Sequence, residues 1–265
     1  MIRLVISDVD GTLVEDGGSV HSLNPDYYDV IKKLDEKGIR FAVCSGRQCV
    51  SMEKLFAPVK ERMYFASDGG SLVFYQGECI YSKVIPEDIY HELIDDARQL
   101  PQCDIMVCGI KHAYAASADS ELYRWMVNAY GFDMKAVGDL KKNISDDIVK
   151  VSLYHQNMVE QLTTPWFRPR WEERMRLNLA GIQWLDCVPM SSGKGSAVEF
   201  IQKRLGISKE ETMVFGDNQN DIDMVKMAGT SFAVENAREE LKCAAGGICG
   251  SYKEDGVLKE LIKLI

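Results

Sequence analysis

Several patterns with strong structural meaning are missing from this 265-residue sequence. No uninterrupted apolar run approaches the ~20 residues of a transmembrane helix. No secretory signal pattern follows Met1, because Arg3 and Asp8 lie within or next to the first apolar stretch. These two absences predict a cytoplasmic protein without a membrane partner.

Metal-binding and disulfide patterns of cysteine are also missing. The eight Cys form no Cys-x-x-Cys pair, and the four His show no zinc-ligand spacing with them. We therefore expect reduced thiols and no zinc site. Cys44 lies beside candidate site residues, but a small buried hydrophobe is the favoured interpretation over a redox-sensitive thiol.

Basic residues are in deficit: 31 Lys and Arg face 40 Asp and Glu, for a net charge of −9. This balance disfavours nucleic acids and anionic membranes as partners. The composition, 46% hydrophobic and 27% charged, is that of an ordinary globular protein.

Two nucleotide-binding motifs are absent. No Gly-x-Gly-x-x-Gly follows the first predicted strand, so a dinucleotide site has no support. Gly193 and Lys194 resemble the end of a phosphate-binding P-loop, but Val188 and Gly195 stand where that loop requires Gly and Ser or Thr.

Alternating strand and helix patterns occupy both ends of the chain. Buried strands are predicted at 4–6, 39–44 and 63–66, and again at 212–215 and 231–234, with amphipathic helices between them. The middle of the chain instead shows paired strands together with helices, without the strand–helix alternation of the two ends. We predict an α/β core, a doubly wound parallel sheet formed by residues 1–81 and 188–265, with residues 82–187 inserted as an α+β cap.

Four polar groups follow predicted core strands or begin core helices. They are the pair Asp8 and Asp10, the Ser-Gly-Arg run at 45–47, Lys194, and the run Gly-Asp-Asn-Gln-Asn-Asp at 216–221. Carboxylates suit Mg²⁺ or a nucleophile, while Lys and hydroxyl donors neutralise phosphate oxygens. Each element alone has a simpler interpretation as a cap, turn or surface residue. Their joint occurrence at strand ends favours a phosphoryl-transfer site.

The same motifs carry a family resemblance. Residues 8–13 (Asp-Val-Asp-Gly-Thr-Leu), 44–47, 194–197 and 216–221 resemble the four motifs of the haloacid dehalogenase superfamily, and the tail at 232–237 and 254–257 is similar to its Cof-type phosphatase branch. The resemblance covers both core segments. It implies a Rossmann-like core and a cap inserted between the second and third motifs.

The resemblance also implies a role for each matching residue. Asp8 would be the nucleophile and Asp10 the general acid and base. Mg²⁺ would be held by the Asp8 carboxylate, the Asp10 backbone carbonyl and Asp217. The phosphate would be bound by Ser45, Gly46, Lys194 and Asn220, with Thr12 assisting Asp10. Asp221 would orient Lys194 or a metal-bound water.

Two further segments are notable. The first departs from the family pattern, and the second lies outside the four motifs. Residues 68–70 read Asp-Gly-Gly where the branch usually has Asn-Gly-Ala, and we favour a turn role for Asp68 over a substrate or hinge role. The aromatic and basic cluster between Trp166 and Trp171 is interpreted as a Pro-broken cap loop rather than a substrate-contacting edge.

The sequence thus predicts a Mg²⁺-dependent phosphatase, monomeric or homodimeric, acting on a small phosphorylated metabolite. Sugar phosphates are the first expectation, and phosphorylated cofactors such as pyridoxal phosphate or flavin mononucleotide the second. Two alternatives stay open: a phosphomutase or phosphotransferase using the same aspartyl-phosphate, and a non-enzymatic phospho-acceptor switch. The acidic residues of these motifs disfavour a dehalogenase, because they suit a metal-dependent phosphoryl reaction.

Overall fold

The protein is described by a computed structural model that covers residues 1–19, 21–180 and 182–265. The chain divides into two compact units. One unit comprises Met1–Tyr81 and Gly193–Ile265, and the other comprises Ser82–Ser192. Each unit has its own hydrophobic core.

The amino-terminal stretch of the first unit alternates strand and helix. Its elements are β1 (Leu4–Ser7), α1 (Asp26–Glu36), β2 (Arg40–Cys44), α2 (Cys49–Leu55), β3 (Met63–Ser67), β4 (Leu72–Tyr75) and β5 (Glu78–Ser82). Helix α1 buries Tyr27, Val30, Ile31 and Leu34, which share one face at helical spacing. Asp26 and Asp29 in its first turn complement the helix dipole.

The second unit is built around strands that pair mostly with antiparallel neighbours. Its elements are α3 (Glu87–Ala97), β6 (Asp104–Gly109), β7 (Ala113–Ala115), α4 (Glu121–Asn128), β8 (Met134–Ala136), β9 (Ile148–Tyr154), α5 (Val159–Thr163), α6 (Phe167–Trp171), β10 (Met175–Ala180) and β11 (Trp184–Pro189). The strands form one sheet in the order β10-β11-β9-β6-β7-β8.

The carboxyl-terminal stretch returns to the alternation of the first unit. Its elements are α7 (Lys194–Leu205), β12 (Thr212–Gly216), α8 (Ile222–Lys226), β13 (Thr230–Val234), α9 (Glu239–Ala244), β14 (Gly247–Cys249) and α10 (Gly256–Ile262). Short 3₁₀ turns occur at Lys60–Arg62, Asp68–Gly70, Lys209–Glu211, Gln219–Asp221 and Tyr252–Glu254.

One eight-stranded sheet joins both stretches of the first unit in the order β14-β13-β12-β1-β2-β3-β4-β5. Strand β1 is fully buried and runs parallel to both β12 and β2, with Ser7 opposite Phe215 and Val43. Strands β3, β13 and β14 continue the parallel part, and β4 pairs antiparallel to β3. The predicted α/β class with a doubly wound parallel core is confirmed.

One boundary between the two units differs from the predicted boundary. The first unit resumes at Gly193 rather than at residue 188. Strand β11 continues to Pro189, and Val188 pairs with Arg176 of β10, so this strand belongs to the second sheet.

The cluster between Trp166 and Trp171 forms helix α6 rather than a loop. Pro169 is tolerated there because the first N–H groups of a helix have no intrahelical acceptor. Trp171 is fully buried, and its indole N–H donates to the Asp96 carboxylate at 2.9 Å. Arg170 donates to Glu92 at 2.8 Å. These contacts give the cluster a packing role within its own unit.

Among the helices of the described ranges, none is both long and apolar enough to cross a membrane.

Candidate active site

Three neighbouring parallel strands end at the same edge of the core sheet, and each is followed by a polar residue. Asp8 follows β1, Ser45 follows β2 and Asp217 follows β12. The Asp8 N–H still donates to Phe215 at 2.9 Å, so the ladder holds its backbone in place. Ligands of open α/β sheets bind at this edge. The fold therefore brings these three side chains, distant in sequence, to one place.

Lys194, the first residue of α7, lies against Asp8. Its ammonium donates to Asp8 Oδ1 at 2.5 Å and to Asp221 Oδ1 at 2.6 Å. All three side chains are almost fully buried, with exposed fractions of 3%, 6% and 0%. Burial of one cation between two carboxylates is tolerated because each charge meets an opposite one at hydrogen-bond distance.

Asp221 uses its second oxygen to shape the loop that carries Asp217. Its Oδ2 accepts the backbone N–H of Asp217 at 2.9 Å and of Asn218 at 3.0 Å. Both oxygens of Asp221 are therefore engaged by protein donors. This arrangement suits an orienting role for Asp221, between Lys194 and the loop.

Thr12 bridges two carboxylates. Its hydroxyl lies 3.1 Å from Asp8 Oδ2 and 3.4 Å from Asp217 Oδ1. The expected assistance to Asp10 has no counterpart in these contacts. The hydroxyl instead fixes the spacing between Asp8 and Asp217.

Gly11 allows the Asp217 side chain to approach the loop after β1. Its φ of +77° lies in the left-handed region, and a Cβ at this position would come 2.4 Å from Asp217 Oδ2. Any other L-residue would meet both a strained backbone and this carboxylate.

We expect Gly11→Ala to lower kcat by about 10²-fold, since displacement of a reacting group by ~1 Å has effects of that size. Steady-state assays of the activity that the sequence predicts measure the loss, and thermal unfolding separates it from misfolding. Gly77→Ala is the matched control because Gly77 has φ +79° and a Cβ added there would meet nothing within 4 Å. Equal losses of activity in both variants would contradict the steric explanation.

Asp10 lies in a different environment from Asp8. Arg47 holds it with two hydrogen bonds, from Nε to Oδ2 at 2.8 Å and from Nη2 to Oδ1 at 2.6 Å. The Arg47 side chain is 1% exposed, whereas Asp10 is 20% exposed. The two carboxylates of the Asp-x-Asp pair thus have separate cationic partners, Lys194 for Asp8 and Arg47 for Asp10.

The predicted phosphate-binding residues surround the strand ends. Ser45 is buried, and its hydroxyl oxygen accepts the Arg47 N–H at 3.1 Å while the hydroxyl proton stays available to a ligand. Gly46 is the half-buried residue that follows it. Asn220 lies in the turn Gln219–Asp221, and its buried Oδ1 has no hydrogen-bond partner among the described residues.

The turn Asp68–Gly70 supports the loop at 45–47. The N–H groups of Asp68 and Gly69 donate to the carbonyls of Arg47 and Ser45, both at 3.0 Å. Gly70 packs so tightly that a Cβ there would come 2.3 Å from the Gly193 carbonyl oxygen. This turn therefore joins the loop after β2 to the start of α7.

The acidic cluster carries more negative charge than Lys194 neutralises. Burial raises the pKa of Asp8 to about 7, although Lys194 opposes the rise. Burial, followed by the charges of Asp8 and Asp221, raises the pKa of Asp217 to about 9. For Lys194, burial alone would lower the pKa, but Asp221 and Asp8 raise it well above its ordinary value. The lysine is therefore charged, and the cluster favours a further cation.

The donor set fits a hard divalent ion. Carboxylate oxygens of Asp8, Asp217 and Asp221 lie within 4.8 Å of one another. Asp221 accepts three protein hydrogen bonds on its two oxygens, whereas Asp8 Oδ2 and Asp217 Oδ1 share the single hydroxyl proton of Thr12, so Asp8 and Asp217 are the better ligands. An all-oxygen set of this kind suits Mg²⁺ rather than zinc.

Two supporting residues were not recognised as such from the sequence. The Asn236 amide donates to the Gly11 carbonyl at 2.7 Å, and the Arg238 N–H donates to the Asp217 carbonyl at 2.8 Å. These two hydrogen bonds connect the segment after β13 to the loops that follow β1 and β12. Asn236 belongs to a tail that carries the family resemblance, which was its only signal.

Cys44 is fully buried beside this site. Burial raises the pKa of its thiol to about 12, so the thiol stays protonated. All eight cysteines are free. A packing role for Cys44 agrees with both observations.

Known proteins are similar to this chain over nearly its whole length. A family model described as haloacid dehalogenase-like hydrolase matches residues 5–261. The sequence is 25% identical over 268 residues to the 5-amino-6-(5-phospho-D-ribitylamino)uracil phosphatase YbjI of Escherichia coli K12, covering 100% of this chain and 96% of the relative. It is 21% identical over 262 residues to the Bacillus subtilis phosphatase YcsE, which carries the same substrate name, covering 98% and 94%.

A solved structure from Eubacterium rectale superposes over the full chain. The TM-score is 0.89 at 38% identity, and the alignment covers 100% of this chain and 99% of the other.

Proposed function

Because the chain is a phosphatase of the haloacid dehalogenase-like hydrolase family, we propose that it hydrolyses small phosphate monoesters through an aspartyl-phosphate on Asp8. One observation carries this proposal. Asp8 and Asp10 lie two residues apart but have different cationic partners, Lys194 and Arg47. Carboxylates in contrasting environments can perform different steps of one reaction.

In the first step, an Asp8 oxygen attacks phosphorus and the ester bond to the leaving oxygen breaks. Asp10 gives its proton to that oxygen, so the alcohol leaves neutral. In the second step, water attacks the phosphorus of the aspartyl-phosphate and Asp10 takes the proton of the water. The Asp8–phosphorus bond breaks, which yields inorganic phosphate and restores both carboxyl groups.

Phosphate oxygens need donors throughout both steps. Lys194 would neutralise one oxygen, and its contact with Asp8 at 2.5 Å supports this role. Ser45, Gly46 and Asn220 supply hydroxyl, backbone and amide donors around the same strand ends. These groups would stabilise the charge that spreads over the oxygens in the transition state.

We assign Mg²⁺ to the carboxylates of Asp8 and Asp217 and the backbone carbonyl of Asp10. When bound, the ion would neutralise the acidic cluster and the phosphate charge. Thr12 contacts both carboxylates, and Asp221 holds the backbone of Asp217.

The substrate class proposed here is a phosphorylated sugar or polyol, free or attached to a cofactor precursor. Support comes from two curated relatives whose names specify a phosphoribityl compound. Both align over at least 94% of their own length, so nearly the whole of each relative has an aligned segment in this chain.

A screen of phosphorylated metabolites tests the proposal. Sugar phosphates, polyol phosphates, pyridoxal phosphate, flavin mononucleotide and 5-amino-6-(5-phospho-D-ribitylamino)uracil would be ranked by kcat/KM with Mg²⁺ and with EDTA. We expect Mg²⁺-dependent phosphate release, highest for sugar or polyol esters. Phosphate transfer to a second substrate without release would indicate a mutase or transferase. A phosphoenzyme stable for hours would indicate a phospho-acceptor switch.

Mg²⁺ should stabilise the protein more strongly as pH rises. The raised pKa values of Asp8 and Asp217, about 7 and about 9, mean that the metal-free fold holds protons that the unfolded chain has lost above about pH 4. Metal-free stability from this cluster therefore falls between about pH 4 and pH 9. Mg²⁺ binds the deprotonated carboxylates, so its stabilising effect grows over the same window.

Thermal unfolding with and without Mg²⁺ at pH 6.0 and pH 8.5 measures this effect. We expect the increase in Tm to be larger at pH 8.5 by at least ~2 °C, the shift that about 1 kcal/mol causes in a protein of this size. Asp217→Asn should remove most of the increase. A Mg²⁺ effect that is equal at both pH values would contradict the assignment.

A further inference from the structure

Arg47 makes a fork-shaped contact with Asp10, and Arg47 itself has no assigned role in the reaction. Nε and Nη2 donate to separate oxygens of the carboxylate, at 2.8 and 2.6 Å. Two parallel bonds from a planar guanidinium fix both the position and the plane of a carboxylate. A lysine ammonium, as a point charge, fixes only a distance.

The Arg47 guanidinium also has an acceptor outside Asp10. Nη2 also donates to the Gly18 carbonyl at 2.7 Å, and Gly18 closes a turn by donating to Glu15 at 2.8 Å. The Arg47 side chain is 1% exposed, so it has little freedom to rotate towards solvent. The fork therefore presents a fixed plane to Asp10.

The backbone of Arg47 is anchored as well. Its N–H donates to the Ser45 hydroxyl oxygen at 3.1 Å, and its carbonyl accepts from Asp68 at 3.0 Å. The loop that would bind phosphate thus also carries the residue that holds the proposed acid and base. Movement of this loop would move Asp10 relative to the leaving oxygen.

We propose that Arg47 is a positioning residue that sets the orientation of the Asp10 carboxylate for proton transfer to and from the leaving oxygen. This inference rests on the proposed function, because it assumes that Asp10 handles the proton. Arg47 acts through Asp10 and need not touch the substrate.

The test compares leaving groups. An alkyl phosphate needs a proton on its leaving oxygen, whereas 4-nitrophenyl phosphate departs readily without one. We expect Arg47→Lys to lower kcat for an alkyl phosphate by about 10²-fold with KM little changed. The pre-steady-state burst of 4-nitrophenolate should keep nearly its wild-type rate, while the steady state slows because the second step also uses Asp10.

Three controls define the interpretation. Arg62→Lys changes an arginine that pairs with Asp35 at the surface, and it should leave both substrates unaffected. Ethylguanidine should restore alkyl-phosphate turnover in Arg47→Ala better than ethylamine does, because only the guanidinium can form the fork. In an Asp10→Asn background, Arg47→Lys should add little further loss. If Arg47→Ala does not fold, Arg47→Lys, which keeps the buried charge, carries the test alone.

An equal loss for both substrates in the burst phase, or a large rise in KM, would overturn the inference and indicate that Arg47 binds phosphate directly. Wild-type-like kinetics of Arg47→Lys would also overturn it. If the wild-type protein releases no phosphate from any ester, the proposed function fails and the inference fails with it. Turnover by the wild type with a uniform loss in the Arg47 variants refutes the inference alone.

Discussion

Asp8→Asn is expected to reduce phosphate release by at least about 10⁴-fold, the scale seen when a nucleophile is removed from an enzyme that forms a covalent intermediate. The amide oxygen is neutral and does not attack phosphorus at a useful rate. No aspartyl-phosphate should be found by intact-mass measurement after mixing with 4-nitrophenyl phosphate. Wild-type protein quenched in acid should show this adduct.

The fold of this variant should be unharmed. Asn has nearly the size of Asp, and its Oδ1 can still accept from Lys194. Burial is the main cause of the raised pKa of Asp217, and loss of the Asp8 charge removes the second cause. Without Mg²⁺, the Tm should therefore equal or exceed that of the wild type.

Asp29→Asn is a suitable control for Asp8→Asn, because Asp29 is an exposed carboxylate that pairs with Lys32 on α1. It should show wild-type turnover. Substantial activity in Asp8→Asn, or an adduct on another residue, would remove Asp8 as the nucleophile.

Much of the core could be predicted because buried parallel strands are nearly continuous apolar runs. Strands β1, β2 and β12 are almost completely buried, so their sequences carry little ambiguity. Once these strands are placed in parallel, sheet geometry brings the residues that follow them to one edge. The placement of Asp8, Ser45 and Asp217 side by side follows from that rule alone.

The directions of individual side chains at the site could not be predicted from the sequence. Thr12 was expected to assist Asp10, yet its hydroxyl lies against Asp8 and Asp217. Arg47 stood in the phosphate-loop motif, and nothing in its spacing indicated that it would turn towards Asp10. Such contacts depend on rotamers and loop paths that periodicity does not encode.

Short elements were also missed. Helix α6 contains Pro169, which argued for a loop, and tertiary packing of Trp171 outweighed that local signal. Strands β8 and β14 have only three residues each, too few for an alternating pattern to stand out. Their pairing is decided by neighbouring strands rather than by their own sequences.

Asp10→Asn is expected to have the second large effect, a loss of about 10²- to 10⁴-fold in kcat for alkyl phosphates. The amide cannot give a proton to the leaving oxygen or take one from water. With 4-nitrophenyl phosphate the first step needs little protonation, so it should continue. The aspartyl-phosphate should then accumulate, because its hydrolysis lacks a base.

Rapid-quench trapping with intact-mass detection measures that accumulation directly. Asp16→Asn is the matched control, because burial first and the nearby Asp10 charge second raise the pKa of Asp16. If loss of a nearby negative charge were the cause, Asp16→Asn would reproduce part of the defect. If proton transfer is the cause, Asp16→Asn should turn over normally. Asp10→Asn, unlike Asp16→Asn, should then separate a preserved burst from a slow steady state, and equal slowing of both phases would assign Asp10 to binding rather than to proton transfer.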